Sequence, residues 1–147
     1  MSTHSWTRRS YEADVLLVPL DPTARASLSA LRDELPGITV AEERPPADVL
    51  PQDVERADVI TLLVRDLAAV DHATVARFGE AAHATGTLLG AVVVTPGLAW
   101  SGGKENAAAA MVREHADTVV VVPDMPPVLH LLQVLRGGSR DTAEVPA

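Results

Sequence analysis

Apolar residues in this chain gather into short unbroken runs instead of alternating with polar ones. Residues 14–20 (DVLLVPL), 57–64 (ADVITLLV), 87–95 (TLLGAVVVT) and 117–123 (DTVVVVP) are the four clearest. A strand with one wet face would show a polar residue at every second position. These runs do not, so each reads as a strand buried on both faces, the mark of a parallel sheet. Residues 38–42 form a weaker fifth strand. Between the runs the spacing turns helical. Ala24, Leu28, Leu31 and Leu35 predict a helix over 23–35, opened by Asp21-Pro22 as N-cap and first position and stopped by Pro36-Gly37. Further helices are predicted at 70–85, ending at Gly86, at 104–116 and at 127–136. Residues 44–52 carry three prolines and read as a loop.

Strands alternating with helices imply βαβ units joined by right-handed crossovers. The expected fold is one three-layer, Rossmann-like α/β domain over residues 14–136. Its five-stranded parallel sheet has the order 2-1-3-4-5, with a topological switch between the first and third strands. The polar segment 1–13 and the Gly/Ser/Pro-bearing segment 137–147 are expected to be flexible ends. A length of 147 residues fits a single domain.

Composition narrows the possibilities. The chain is 47% apolar but only 3% aromatic, so its core must be built from Val, Leu and Ala. A net charge of −8 and no Lys/Arg cluster argue against nucleic acid and against anionic lipid. There is no cysteine, which removes disulfides and thiolate metal sites. No apolar run approaches the roughly 20 residues that span a bilayer, and no signal peptide is evident. A cytoplasmic protein is expected.

The segment 112–124 (VREHADTVVVVPD) resembles a stretch of FtsZ, the bacterial tubulin-like cell-division GTPase: a helix end, an Asp-Thr-initiated apolar strand and a proline exit. Residues 87–96 match in character a strand and proline loop that line the nucleotide in that family. Residues 57–86 overlay the family pattern without a gap, and 14–37 match it in spacing. The departures are as informative. FtsZ holds GTP phosphates with two glycine-rich loops, because only glycine lets backbone N–H groups approach so closely. The first falls here on residues 18–23 (VPLDPT), with two prolines and Asp21. The second, GGGTGTG in the family, falls on residues 67–73 (LAAVDHA), beside Asp66 and including Asp71. Neither retains a glycine. FtsZ also needs acidic residues from a loop of a neighbouring subunit, in a region this chain would lack. The resemblance therefore implies a pseudoenzyme-like domain, without GTP hydrolysis or a cofactor, that binds another protein or itself. A division filament such as FtsZ is one such partner.

Several residues follow the carboxyl ends of strands, where ligands bind in open α/β sheets. Asp21, Asp66 and Asp124 could together hold a divalent cation through carboxylate oxygens. Asp71 or Asp66 could pair with His72 as a general base. Arg65 could meet an anion, or form a salt bridge to Asp66 or Glu12. The glycine-bearing loop 96–103 (PGLAWSGG) brings Pro96, Gly97 and Trp100 to the same edge. There Trp100 could act as a lid or partner anchor, or simply fold onto the domain. Residual GTP or GDP binding through this loop is a further option. Against the catalytic readings stands a plainer one, that each aspartate caps the helix that follows it. His4, His83, His115 and His130 show no ligand spacing.

Overall fold

The computed structural model describes residues 13–41 and 56–137. The expected flexible ends, apart from Ala13 and Gly137, lie outside these residues, as do the 44–52 loop, His4, Trp6 and Glu12. Five strands form one sheet: β1 (Val15–Pro19), β2 (Ile38–Val40), β3 (Val59–Val64), β4 (Leu88–Val94) and β5 (Thr118–Val122). Their order is β2-β1-β3-β4-β5 and every pairing is parallel, as the alternation of runs and helices predicts. Four α-helices lie wholly within the described residues: α1 (Pro22–Ala30), α2 (His72–Thr85), α3 (Gly103–His115) and α4 (Pro126–Arg136).

Strand side chains alternate between two cores. Leu16 and Val18 of β1, with Ile60, Leu62 and Val64 of β3 and Leu89, Ala91 and Val93 of β4, pack against Val75, Phe78 and Ala82 of α2. Ala108, Ala109 and Val112 of α3 complete this layer. On the opposite face Val15, Leu17, Leu63, Val92 and Val94 meet Ala24 and Leu28 of α1 and Val128 and Leu132 of α4. Both faces of β1, β3 and β4 are thus dry, which is why their sequences show no period of two. The interior is aliphatic, and Phe78 is the one buried aromatic ring among the described residues.

Helix boundaries follow the capping chemistry. Asp21 is the N-cap of α1, and Pro22 supplies the fixed φ of the first turn. The predicted helix over 23–35 instead ends at Ala30. Leu31 closes it through its N–H to Leu28 O, and a 3₁₀ turn, Arg32–Glu34, carries the chain on to buried Leu35. Spacing alone could not separate an α-helix from an α-helix tightened at its last turn, because both put Leu28 and Leu35 inside. The helix expected over 70–85 begins at His72, after a 3₁₀ turn at Leu67–Ala69, and stops at Gly86 with φ 71°. Among the described residues no helix is long and apolar enough to cross a membrane.

Candidate functional site

The crevice expected at the sheet's carboxyl edge lies between the exits of β1 and β3, where the strand order reverses. Asp21 occupies it. Its side chain is only 1% exposed. One carboxylate oxygen accepts the N–H of Ala24 in the first turn of α1 at 2.8 Å. The other accepts the N–H groups of Arg65 at 2.8 Å and Asp66 at 3.1 Å, both from the segment leaving β3. A buried carboxylate is costly unless its lone pairs are taken up, and here three amides do so. Asp21 therefore caps its helix, as the plainer reading holds, and also ties that helix to β3.

The neighbouring candidates arrange themselves around this clasp. The Arg65 guanidinium donates from Nη1 to Ser27 Oγ on α1 at 2.8 Å; Ser27 in turn donates to Thr23 O. Asp66 is exposed at the start of the Leu67–Ala69 turn and makes no side-chain capping bond. Asp71 caps α2, accepting from Ala73 N at 3.3 Å and from Thr74 Oγ1 at 2.8 Å. His72 is exposed at the first helical position, and among the described residues no hydrogen bond joins it to Asp71 or Asp66. Asp124 is exposed beyond β5, while the residue capping α4 is Met125. No group of three or more His, Asp or Glu among the described residues is gathered so as to hold a metal ion, so Asp21, Asp66 and Asp124 do not form one site.

Next to the clasp, a cleft of about 250 Å³ opens between the exits of β3 and β4. Arg65, Asp66, Thr95, Trp100, Ser101 and Glu105 supply its polar and aromatic lining. Trp100 is half-buried. It packs against the core under α2 and α3, with the Arg113 guanidinium 5.8 Å from its ring centroid. It has folded onto the domain. Pro96 and Gly97 form a tight turn closed by Leu98 N to Thr95 O at 3.0 Å. Gly97 takes φ 75° and ψ −1°, the third position of a type II turn, which a side chain would resist. Both residues are exposed and neither lines the cleft. Sequence reasoning missed Ser101 and Glu105. A glutamate at the third position of a helix opened by Gly102-Gly103 was the available signal, since such a side chain folds back toward the helix start. The Glu105 carboxylate does so, lying where a side chain on Gly102 would have to go.

No family model matches this chain, and no curated protein does. Among solved structures, a protein described as an NADPH-quinone reductase from P. pentosaceus aligns over 84% of this chain and 95% of its own. The identity is 14% and the TM-score 0.46. A structure of MppP soaked with the product 2-ketoarginine covers 97% of this chain and 52% of that one, at 15% identity and a TM-score of 0.44. Neither likeness assigns the chain to a family. What stands is a Rossmann-like parallel α/β fold.

Proposed function

We propose that this domain is a non-catalytic relative of the FtsZ-type nucleotide-binding domain, acting in the cytoplasm by binding another protein or a second copy of itself. The observation that supports this most is the Asp21 clasp. Nucleotide phosphates at a switch-point crevice need converging backbone amides. Here the amides of Ala24, Arg65 and Asp66 are already bonded to a buried carboxylate of the same chain. A negative charge at that point also opposes a triphosphate. Asp66 beside it and Glu105 in the adjoining cleft add to the repulsion.

Calorimetric titration with GTP and GDP in the presence of Mg²⁺ tests the first half of the reading, and no binding heat is expected. Co-sedimentation with an FtsZ polymer and light scattering of the protein alone test the second. Nanomolar or micromolar nucleotide affinity would remove the proposal. So would a protein that stays monomeric and leaves polymer length unchanged.

A second reading is favoured by the cleft between the β3 and β4 exits. With Trp100 as one wall and Arg65, Asp66, Ser101 and Glu105 around it, it offers an aromatic face and several polar groups to a small molecule. A thermal-shift screen of nucleotides, sugars and amines reads this directly. A ligand whose effect is lost in Trp100→Ala would move the assignment from protein binding to small-molecule binding.

A further inference from the structure

We propose that Asp21 is a built-in ligand: its carboxylate fills a small-oxyanion site that the backbone presents, and shortening this side chain opens that site to a free carboxylate ion. The inference goes beyond the function proposed above, because it concerns what the crevice would hold once emptied.

Three donors from two distant segments point at one carboxylate. Ala24 N belongs to the first turn of α1, and Arg65 N and Asp66 N to the segment leaving β3. None of the three depends on glycine, and each is held by elements that remain when the Asp21 side chain is shortened. β1 and β3 stay paired from Val15↔Val59 through Pro19↔Leu63, and Leu20 N still donates to Leu63 O at 2.9 Å. The sheet therefore still brings the start of α1 beside the exit of β3 when the carboxylate is gone. The start of α1 adds its partial positive charge. The space is closed to solvent in the intact protein, with Asp21 at 1% exposure. An anion entering it can be no larger than what was removed: the carboxylate alone in Asp21→Ala, the carboxylate and one further carbon in Asp21→Gly. Formate fits that description, and phosphate is larger.

Two variants divide the test. Asp21→Gly removes the carboxylate and leaves an acceptable N-cap residue. Asp21→Ala removes only the carboxylate and keeps the β-carbon, leaving all three amides facing the vacancy. Thermal unfolding is followed as sodium formate replaces sodium chloride at constant ionic strength. The Arg65 and Asp66 amide resonances of ¹⁵N-labelled protein are followed in the same titration. Formate is expected to raise the Tm of both variants by roughly 2–4 °C while leaving the intact protein unmoved. The two amide signals should shift saturably.

An equal rise in variant and intact protein is a general salt effect and overturns the proposal. So does a rise without movement of the Arg65 and Asp66 signals. If the glycine variant fails to fold in chloride, Asp21→Ala carries the test. If neither folds in chloride, formate must restore the folded state, and failure to do so overturns the proposal. Nucleotide binding by the intact protein would remove the functional reading and leave formate rescue standing. Absent rescue beside a protein silent to nucleotide removes only this inference.

Discussion

Replacing Asp21 by alanine would remove a helix cap and leave two further, partly buried amides without an acceptor. A lost N-cap costs about 0.5–2 kcal/mol and an unsatisfied buried donor about 1–3 kcal/mol, so a loss of roughly 3 kcal/mol is expected for Asp21→Ala in urea unfolding. Asp21→Asn should cost less. Its one oxygen can serve either Ala24 or the Arg65–Asp66 pair, and its NH₂ then faces a donor. A second residue works in the opposite direction. Thr61 sits in the middle of β3 at 1% exposure, and among the described residues its Oγ1 has no hydrogen-bond partner. Valine keeps the β-branched shape and removes the stranded hydroxyl, so Thr61→Val is expected to stabilise by about 1 kcal/mol. A lower Tm in that variant would mean the hydroxyl is satisfied in solution.

At the scale of elements, α2 and α3 meet at Gly79. A methyl group there would lie 2.8 Å from Cβ and Cγ of His115. Neither atom is the free end of a flexible chain, so the helices themselves must part. Gly79→Ala is expected to cost about 2 kcal/mol by chemical denaturation. His115→Ala should relieve only part of this, because the His115 Cβ is one of the three close atoms, with Nδ1 and Cγ. The elements themselves were legible in the sequence for a simple reason. Unbroken runs such as residues 57–64 cannot form a half-wet strand, and Asp21-Pro22 and Gly86 mark helix ends by local chemistry. What local chemistry could not convey is contact across the chain. The same aspartate that caps α1 also accepts two amides 44 and 45 residues away, and no pattern near Asp21 announces them. The fate of Trp100 was open for the same reason, since the Arg113 that lies over its ring is on another element.

At the scale of the molecule, strand order was legible because parallel connections leave few topologies, but the condition of the crevice was not. Loops 18–23 and 67–73 lack glycine, and that predicts poor phosphate binding without predicting what fills the space. The sheet also has an outer strand with no charge in it. β5 is Thr-Val-Val-Val-Val, its four valines are each half-buried, and among the described residues it pairs only with β4. Uncharged edge strands invite pairing with another chain. Val120 belongs to neither core cluster. Val120→Lys is therefore expected to leave Tm nearly unchanged and to lower any self-association seen by light scattering. Unchanged association would place the contact elsewhere.

The bond from Asp21 to Arg65 and Asp66 also has a temporal meaning. Because it spans 44 and 45 residues and needs β1 and β3 side by side, the start of α1 is expected to gain its full set of partners late in folding. Weakening that bond should therefore quicken unfolding while leaving the refolding rate almost untouched, a split that stopped-flow measurements on Asp21→Asn can resolve. The domain's lifetime in the native state, more than the speed with which it is reached, would then rest on one carboxylate.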